Sequence, residues 1–502
     1  MPESVDLLLI NPGDKDRMYG SLATSLAASE PPIWTALTAA YVRRQGHSVR
    51  ILDADAEDWS PERTAEIAAR EHAPRLIGIG AAGSNPSAAS TPKMDAVIRL
   101  CAALRRTGNH VPIVVYGIHP SVLPDRTLRE TGADFVCRGE TFLALTELLA
   151  ALKSGRGPEG IAGIWIQRGE SVVDAGWARL VKDLDDLPAP AWDLLPMDKY
   201  RAHNWHCFDR LDQRQPYGVI YTSLGCPFDC TYCNVKALYD GRPGIRFRSP
   251  AKAAEDADLL ATKYGVRNIK ILDELFVLKE STVLELMDLL IARGHRLNIW
   301  AYARVDTVNE RMLAKMKQAG VNWLAYGIES GSQVVRRGVA KGKLSQESIR
   351  RAIGMTHEAG ISVVGNFIFG LPEDDLKSLQ QTYDLAAELN CEYANFYVAM
   401  AYPGSRLYEH SVRRQVPLPE NWAGYSQFSE ETLPLPTAHL SAGEVLRFRD
   451  EAFGRYYRRP QYRDMIRLKF GPEALAHIDE MLQHKLRRKH AGPSPAAAQE
   501  AP

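Results

Sequence analysis

Three cysteines in one short run, Cys226, Cys230 and Cys233, are the side chains of this sequence best suited to chemistry. The run follows the apolar residues Val219 to Tyr221, which are predicted to form a strand, so the cysteines lie on the loop after it. Thiolates separated by three and then two residues can reach three corners of one iron-sulfur cube, whereas a closed cube normally takes four cysteines. The spacing therefore predicts a 4Fe–4S cluster with one iron left open.

Two other uses of these thiols have to be weighed. A structural zinc site usually joins two short cysteine or histidine pairs, and the sequence has no second Cys-x-x-Cys or Cys-x-x-His. Buried thiols without a function are common, and we expect this of the isolated Cys101, Cys137, Cys207 and Cys391. Of these, Cys207 is near enough in sequence to supply a fourth ligand, which would make the chain an electron carrier.

The residues after Tyr217 alternate between strand-like and helix-like segments. Six apolar segments are predicted to be strands, and the alternation indicates a partial barrel of βα units. In such a barrel, reactive residues lie at the carboxyl ends of the strands. The polar or turn residues that follow the predicted strands include Asp273, Glu274, Arg304, Glu329, Ser330 and Gly370.

The cysteine spacing, with Tyr232 just before the last cysteine, resembles the signature of the radical S-adenosylmethionine enzymes. The resemblance implies that the open iron binds the amino and carboxylate groups of S-adenosylmethionine, and that an electron from the cluster cleaves it to a 5′-deoxyadenosyl radical. It also implies that Tyr232 packs against the adenine and that Glu329 and Ser330 hold the ribose or amino end. The further candidates for binding this cofactor are Asp273, Arg304 and Gly370.

The N-terminal part of the chain predicts a doubly wound, Rossmann-like parallel sheet. The apolar run from Leu7 to Ile10 ends in Asn11 and Pro12, and further strand-like runs alternate with helix-like ones as far as Leu152. Ligands of such sheets bind outside the carboxyl ends of the strands. The loops that follow these strands are therefore expected to converge on one site.

This arrangement resembles the cobalamin-binding domain that precedes the radical core in cobalamin-dependent radical S-adenosylmethionine enzymes. The matching pieces, in the expected order, are Asn11-Pro12, Glu30-Pro31-Pro32, Gly117-Ile118-His119-Pro120 and Arg138-Gly139-Glu140. The resemblance implies that cobalamin binds here, and the candidate contacts are Asn11, Pro12, Gly117 and His119. A doubly wound domain without a cofactor is the alternative, because a fold alone does not fix a function.

The sequence departs from one cobalamin motif. Domains that bind the metal through a histidine carry Asp-x-His-x-x-Gly, and no Asp-x-His occurs in this chain. The radical branch of the family generally lacks this motif too, so its absence is compatible with the resemblance. The lower face of cobalamin is then not held by that histidine, and His119 is the loop histidine placed to approach the cofactor.

Composition limits the class of partner. Lysine plus arginine equals aspartate plus glutamate at 61 each, so no overall charge favours nucleic acid or an anionic membrane. No stretch reaches the roughly 20 apolar residues that span a bilayer. Seven cysteines without a regular framework and an N-terminus without a signal-like stretch indicate a cytoplasmic protein. We expect a small-molecule substrate and an external one-electron reductant of the flavodoxin or ferredoxin type.

The predicted fold is α/β, with five segments. They are a Rossmann-like cobalamin-binding domain (1–152), a connector (153–216), a partial (βα)6 TIM-type radical S-adenosylmethionine barrel (217–410), a C-terminal helical cap (411–490) and a disordered tail (491–502). Within the cap, a helix is predicted from Pro472 to Lys489, and the cluster Arg487-Arg488-Lys489 is interpreted as its solvated end.

The leading hypothesis is a cobalamin-dependent radical methyltransferase acting on an unactivated carbon, or a phosphinate phosphorus, of a biosynthetic intermediate in secondary metabolism. Such an atom cannot attack S-adenosylmethionine as a nucleophile, so hydrogen abstraction must first make a substrate radical, to which methylcobalamin donates a methyl group. One S-adenosylmethionine would recharge cobalamin and a second would yield the radical. A cyclase or ring-rearranging enzyme with the same cofactors is an alternative. An iron-sulfur electron-transfer or cobalamin-sensing protein, closed by Cys207, is an alternative of another class.

Overall fold

The computed structural model describes residues 3–13, 15–22, 26–83, 90–108 and 110–491. Its first sheet has seven strands in the order β2-β1-β3-β4-β5-β6-β7. The first five are parallel, as their continuous apolar runs predict, and the last two are added antiparallel at one edge. The strands are Glu3–Asn11 (β1), Val49–Asp53 (β2), His72–Ala81 (β3), Ile113–Gly117 (β4), Phe135–Cys137 (β5), Ile164–Arg168 (β6) and Ser171–Val173 (β7).

Helices join these strands in the described part of the domain. The helix that follows β1 begins directly after Pro31-Pro32, where a fixed φ suits a first turn, and it buries ten successive residues. The described helices are Lys15–Tyr19 (α1), Ile33–Arg44 (α2), Ala54–Glu57 (α3), Pro61–Glu71 (α4), Met94–Arg106 (α5), Ile118–Val122 (α6), Pro124–Thr131 (α7) and Thr141–Lys153 (α8).

The strand order reverses at β1, which has β2 on one side and β3 on the other. Open parallel sheets bind ligands in the crevice at such a reversal, outside the carboxyl ends of the two strands. Ile10 of β1 is in register with Ile79 of β3, so Asn11 and the residues after Gly80 flank this crevice.

The second sheet is a partial barrel of six parallel strands in the order β15-β14-β13-β12-β11-β8. Its two end strands are not neighbours, so the barrel has an open side. A separate antiparallel hairpin, β9 with β10, carries the first cysteine of the cluster run and is absent from the predicted pattern. The strands are Tyr217–Ile220 (β8), Ser223–Cys226 (β9), Gly244–Phe247 (β10), Asn268–Ile271 (β11), Asn298–Ala303 (β12), Val321–Glu329 (β13), Ser362–Phe369 (β14) and Tyr393–Val398 (β15).

The helices of the barrel begin at polar residues that cap their first turn. Ser249, Asn309, Ser345 and Asp375 each accept a hydrogen bond from a backbone N–H group of the helix that follows. The helices are Pro250–Lys263 (α9), Glu280–Arg293 (α10), Glu310–Gln318 (α11), Gln333–Gly338 (α12), Gln346–Glu358 (α13), Leu376–Leu389 (α14) and Arg406–Arg413 (α15).

Three C-terminal helices follow, Ala442–Arg458 (α16), Pro460–Phe470 (α17) and Pro472–Gln483 (α18). Buried tyrosines of α16 and α17 cover the backbone at the edge strand β15. The Tyr456 hydroxyl donates to the carbonyl of Cys391 at 2.6 Å, and the Tyr457 hydroxyl donates to that of Ala394 at 2.8 Å. These contacts occupy backbone groups that an edge strand otherwise leaves open.

The segment predicted as a connector has two structural roles. It supplies β6 and β7 to the first sheet. Its later residues then cover the amino ends of the barrel strands with the buried side chains Trp205, Cys207 and Phe208. The predicted division into five segments stays a prediction. The predicted tail, apart from Ala491, lies outside the described residues, and in the described ranges no helix is long and apolar enough to cross a membrane.

Candidate active site

The cysteine loop is positioned by the β9–β10 hairpin at the mouth of the barrel. Cys226 ends β9 opposite Gly244, and the backbone N–H of Cys233 donates to the carbonyl of Cys230 at 3.1 Å, which closes a tight turn. Gly225 has a φ of +96°, and a Cβ there would lie 2.3 Å from the Gly244 carbonyl oxygen, so this position requires glycine. The loop therefore has a fixed path up to the first cysteine.

The thiols of this loop differ from the other four cysteines, which are buried, because all three are partly exposed. Burial raises the pKa of the Cys226 thiol, and the charges of Glu274 and Cys230 act in the same direction. Among the described residues, no group of three His, Cys, Asp or Glu side chains is gathered as around a single metal ion. A cube instead holds each thiolate on a different iron, so three accessible thiols spread along one loop fit it.

Cys207 lies at the opposite end of the barrel. Its thiol donates to the side-chain oxygen of Asn268 at 3.4 Å, and Asn268 is the first residue of β11. The cysteine loop lies at the carboxyl ends of the strands. The structure therefore does not bring Cys207 to the loop as a fourth ligand.

Glu329 is the centre of a buried polar group beside the cysteine loop. The hydroxyl of Tyr232 donates to Glu329 Oε1 at 2.9 Å, and the Lys341 ammonium donates to the same oxygen. Lys341 also donates to the carbonyl of Gly327 at 3.1 Å. Burial raises the pKa of Tyr232 well above its usual range, and the nearby charges of Glu329 and Cys230 add to that. Lys341 is a site residue that the sequence pattern missed, because only folding brings its loop to the end of β13.

Arg304 follows β12 and covers the cysteine loop from the other side. Its guanidinium carbon lies 3.8 Å from the ring centroid of Phe228, within cation–π distance. It also donates two hydrogen bonds to Asp306, at 2.9 and 3.0 Å. Arg304 thus belongs to the same site as Tyr232 and Glu329.

Two of the other predicted barrel residues have structural partners. Ser330 is fully buried, and its hydroxyl lies 3.1 Å from that of Thr382 on α14. Gly370 has a φ of +83°, and a Cβ there would lie 2.5 Å from Val445 Cγ1, so the glycine permits close packing of α16. Their predicted contacts with S-adenosylmethionine stay predictions.

The adjacent acids Asp273 and Glu274 divide between two tasks. The buried Asp273 carboxylate accepts from the backbone of Thr222 at 2.7 Å and from the Ser223 hydroxyl at 2.7 Å, which fixes the chain before the cysteine loop. Glu274, which is partly exposed, accepts from the Tyr239 hydroxyl at 3.0 Å and from the Gly225 N–H at 3.1 Å. Glu274 is thus the acid in contact with the loop itself, whereas Asp273 is the one that the sequence singled out.

A small cavity of about 70 Å³ lies between the carboxyl edge of the first sheet and the mouth of the barrel. Domain residues such as Asn11 and Lys93 line it, together with Tyr221 and Leu272, which follow the barrel strands β8 and β11. The crevice at the strand reversal therefore faces the barrel, as the resemblance implies for a cofactor shared by the two parts.

A chain of buried hydrogen bonds runs along this edge of the sheet. The Lys93 ammonium donates to the side-chain oxygen of Asn11 at 2.8 Å, and the Asn11 amide donates to Asp53 at 2.7 Å. The Tyr200 hydroxyl donates to the other oxygen of Asp53 at 2.5 Å. Lys93 is only 5% exposed, and among the described residues it donates to this neutral amide and to no carboxylate. A buried ammonium is costly without a counter-charge, which fits an anionic group of a ligand.

The remaining predicted cobalamin contacts are placed differently. Pro12 is buried beside Asn11, and Gly117 has a φ of +132° with space for no Cβ, since one would lie 2.3 Å from the Ala81 carbonyl oxygen. His119 is fully buried, 3.2 Å from the Thr91 hydroxyl and edge-on to Trp422, and burial lowers its pKa to about 3. It lines neither this cavity nor the larger one, so its predicted contact stays a prediction.

A larger cavity of about 560 Å³ fills the interior of the barrel. It shares Met18, Tyr19 and Ala28 of the N-terminal domain with the small cavity, so the two cavities are neighbours. Aromatic side chains line it together with aliphatic, amide and charged groups. The lining residues of the barrel are Lys270, Trp300, Tyr302, Ala325, Val364, Asn366, Tyr393, Asn395 and Tyr397, and Trp205 of the connector lies beside them.

A buried ion pair stands between the two cavities. Lys270 of β11 donates to both oxygens of Glu30, at 3.0 and 3.3 Å, and the two side chains are 2% and 4% exposed. Glu30 belongs to the N-terminal domain, and His203 of the connector lies 3.2 Å from the same carboxylate. Lys270 interrupts the apolar run of β11, and this is the signal by which sequence reasoning would have found it.

Comparison with known proteins decides the family. Residues 21–149 match the family described as the B12 binding domain, and residues 220–386 match the Radical SAM superfamily. The chain is also 30% identical over 432 residues to an uncharacterized methyltransferase, PH0819, of Pyrococcus horikoshii, which covers 86% of this chain and 88% of that protein. The chain belongs to the cobalamin-dependent radical S-adenosylmethionine enzymes.

Other relatives of this radical enzyme have diverse names. A cytidylyl-2-hydroxyethylphosphonate methyltransferase of Streptomyces wedmorensis is 24% identical, covering 78% of this chain and 79% of that protein. An anaerobic magnesium-protoporphyrin IX monomethyl ester cyclase of Rubrivivax gelatinosus is 25% identical, covering 78% and 68%. Among solved structures, the radical S-adenosylmethionine methyltransferase TsrM from Kitasatospora setae has a TM-score of 0.68 at 18% identity, over 90% of this chain and 88% of that one.

These comparisons confirm the predicted family, the order of the two folds and the cobalamin and S-adenosylmethionine cofactor classes. The predicted enzyme class, a cobalamin-dependent radical S-adenosylmethionine methyltransferase, is confirmed as well. The side chains that bind the cofactors are inferred from the geometry of the site.

Proposed function

We propose that this radical methyltransferase acts on a flat, largely apolar small molecule bound in the large barrel cavity. The observation that carries the proposal is the composition of that cavity, in which Trp205, Trp300, Tyr302, Tyr393 and Tyr397 surround about 560 Å³. Cavities of roughly 300–1,000 Å³ with aromatic walls and a few placed polar groups are typical of small-molecule sites. Aromatic faces favour stacking against a planar ligand.

The cluster and S-adenosylmethionine would be held on one side of this cavity. Cys226, Cys230 and Cys233 bind the cluster in the proposal, because they are the three accessible thiols of the chain. Tyr232 and Glu329, joined by a 2.9 Å hydrogen bond, form the wall beside the loop against which the nucleoside is placed. Lys341 pairs with Glu329 and fixes its side chain in this buried position. When bound together, the cluster, S-adenosylmethionine and cobalamin supply hydrogen abstraction and methyl transfer.

Cobalamin would be held at the carboxyl edge of the first sheet. Asn11 and Lys93 border the small cavity there, and Gly117 keeps the neighbouring strand end free of a side chain. We propose that Lys93 neutralises the phosphate of the cofactor's nucleotide portion, because its ammonium is buried beside this crevice and, within the described ranges, donates to an amide and to no carboxylate. Asp53 and Tyr200 hold Asn11 in place through the chain of hydrogen bonds.

The substrate would lie between the cluster and the cobalamin. Asn395 donates to the side-chain oxygen of Asn366 at 2.9 Å, and this hydrogen bond fixes the orientation of both amides. With Lys270, these amides are the polar groups among the aromatic walls. They would orient the substrate, while the aromatic side chains exclude water from the reacting groups.

The electron is proposed to come from an external reductant of the flavodoxin or ferredoxin type, because the chain has no second cysteine run for another cluster. All seven cysteines are free thiols, which supports a reducing, cytoplasmic setting for the protein.

Anaerobic reconstitution with iron, sulfide and hydroxocobalamin tests the proposed reaction. With S-adenosylmethionine, dithionite and substrate extracts, we expect both S-adenosylhomocysteine and 5′-deoxyadenosine, together with a product that carries the labelled methyl group of methionine. Cys226→Ala should abolish cleavage, whereas Cys101→Ala, in the core of α5, should not. Release of 5′-deoxyadenosine alone, with no label in the product, would favour the cyclase reaction that the Rubrivivax relative is named for.

A further inference from the structure

The chain after α18 does not continue as a helix. A helix is predicted as far as Lys489, but α18 ends at Gln483, and the next residues run back along α16 in an irregular path. We name residues 484–491 the C-terminal strap. Its contacts tie it to the rest of the fold. The basic cluster does not end a helix, and the prediction of a solvated charge is wrong for the buried Arg488, whereas Arg487 and Lys489 are exposed.

Arg488 anchors the strap from within. Its side chain is 4% exposed, and it donates to both carboxylate oxygens of Asp450, at 3.0 and 3.2 Å. It also donates to the carbonyls of Gln427 and Ser429, at 3.0 and 3.3 Å, and to the Thr432 hydroxyl at 2.9 Å. Charge-assisted bonds of this kind are the strong ones in proteins, and five of them on one buried guanidinium fix its position.

Further contacts hold the strap against residues 430–431 and against α16. The Lys489 N–H donates to the carbonyl of Glu430 at 3.0 Å, and its ammonium pairs with Glu431 at 3.0 Å. Arg447 of α16 donates to the carbonyl of Ala491. The neighbouring Arg487, in contrast, is exposed.

The strap is part of the large cavity. His484, Lys485 and Leu486 line it on the side opposite the barrel strands, and so do Gln427 and Asp450, two of the groups that Arg488 binds. Gln427 in turn accepts from the Val398 N–H at 2.9 Å and donates to the Val398 carbonyl at 3.0 Å, at the end of β15. Arg488 therefore links the strap to the strand that ends at the cavity wall.

We infer that the C-terminal strap is the wall that closes the substrate cavity on this side and that Arg488 is the positioning residue that holds it there. The inference rests on the proposed function only where it calls the cavity the substrate site. Because the barrel is open at its end strands, this segment decides how much of the cavity is accessible from that side and thus which substrates fit.

Thiol labelling of a cavity residue tests the inference. Ala325 of β13 lines the cavity and is 2% exposed, so Ala325→Cys places a reporter thiol inside it. The reconstituted full-length protein is treated with methyl methanethiosulfonate, and labelling is read by peptide mass spectrometry. Arg488→Ala should speed labelling of the reporter by about tenfold or more, because it removes all five hydrogen bonds of Arg488 and the loss of one charge-assisted hydrogen bond already shifts an opening equilibrium by about tenfold. Arg487→Ala, next to it and exposed, should leave the rate unchanged.

A second variant displaces the strap without touching Arg488. A Cβ at Gly443 would lie 2.9 Å from the His490 carbonyl oxygen and 3.1 Å from that of Ala491, so Gly443→Ala pushes the strap outward. The same change favours the helix, since alanine is the better helix former, and this variant therefore answers the question if Arg488→Ala does not fold. Gly354→Ala in α13, where a Cβ meets nothing within 4 Å, is the matched control.

Hydrogen–deuterium exchange of residues 484–491 completes the test. Faster exchange of the strap together with faster labelling of the reporter supports the inference. Faster exchange with an unchanged labelling rate shows that the strap is not the wall, and unchanged exchange in Arg488→Ala shows that Arg488 is not its anchor; either result overturns the inference. Neither readout needs methyl transfer, so a failure of the proposed reaction is detected separately, by the absence of labelled product in the parent protein.

Discussion

The ion pair between Glu30 and Lys270 gives the sharpest prediction about how the two domains are held together. The carboxylate comes from the N-terminal domain, the ammonium from β11 of the barrel, and their side chains are 4% and 2% exposed. Lys270 also lies 4.7 Å from the ring centroid of Trp300, so the pair is packed among aromatic groups that exclude water. Lys270→Met keeps most of the side-chain volume and removes the charge.

The expected loss of stability comes from the Glu30 carboxylate, which stays buried without its partner. Without the ammonium, Glu30 is a buried carboxylate for which His203, 3.2 Å away, is the one remaining partner among the described residues. Removing one partner of a buried pair typically costs about 3–5 kcal/mol, because the other charge is left uncompensated. For a domain of this size we expect a fall in melting temperature of roughly 10 °C. The double variant Glu30→Gln/Lys270→Met leaves no charge behind and should recover most of that loss.

The pH dependence of the single variant has a definite sign. Burial acts to raise the pKa of Glu30, but the charge of Lys270 and the hydrogen bond of His203 outweigh it and hold the pKa below the usual 4.5. In the wild type the pair therefore stabilises the fold above that pH, and the contribution is lost as the pH falls below it. In Lys270→Met, burial dominates and raises the pKa of Glu30, so acidification toward pH 5 relieves the cost. The difference in stability between Lys270→Met and the wild type should therefore become smaller as the pH falls.

Differential scanning calorimetry between pH 5 and 8 measures both effects. Arg43→Ala breaks an exposed pair with Asp193, whose side chains are 41% and 46% exposed, and should change stability by less than about 1 kcal/mol. The reasoning is refuted if Lys270→Met behaves like that control, or if the double variant is no more stable than the single one.

Three further predictions concern other charged groups. Burial opposes ionisation of Glu392, but His357 and Lys469 hold its pKa at about 2, so Glu392→Gln should cost about 3 kcal/mol at pH 7 in urea unfolding, with the difference fading between pH 4.5 and 2. Lys93→Met should weaken hydroxocobalamin binding about tenfold or more and leave binding of cobinamide, which lacks the nucleotide phosphate, unchanged in spectroscopic titrations. Glu329→Gln should raise the dissociation constant of S-adenosylmethionine by about tenfold with the cluster absorbance unchanged; equal affinities would remove Glu329 from the nucleoside site.

The strand pattern was largely readable from the sequence. The apolar runs at Leu7–Ile10 and Ile113–Gly117 are parallel strands, as predicted, because strands buried on both faces leave continuous apolar stretches. Ser441 and Glu444, which form the capping box of α16, also have the residue types and spacing typical of a helix start. The antiparallel β6 and β7 were missed inside the predicted connector, since β7 is short and mostly exposed and so has no distinctive pattern.

The residues of the candidate site were likewise only partly predictable from the sequence. Asp273 and Glu274 are neighbours in sequence, and the pattern placed both at a strand end without showing which one turns toward the cysteine loop. Lys341 donates to Glu329 from 12 residues farther along the chain, across α12 and the turn after it. Arg488 was read as a solvated charge, because nothing near it in sequence predicts the acceptors provided by residues 427–450.

By itself, the sequence determined the family and the order of the two folds, and it supplied the three cysteines that are proposed to bind the cluster. These depend on short-range spacing, which the covalent chain fixes before any tertiary contact forms. Only the tertiary structure decided that Glu30 pairs with Lys270, 240 residues away, and that the last described segment lines the barrel cavity. Such contacts depend on how separate elements pack, and a buried charge finds its partner only when packing has excluded water from both.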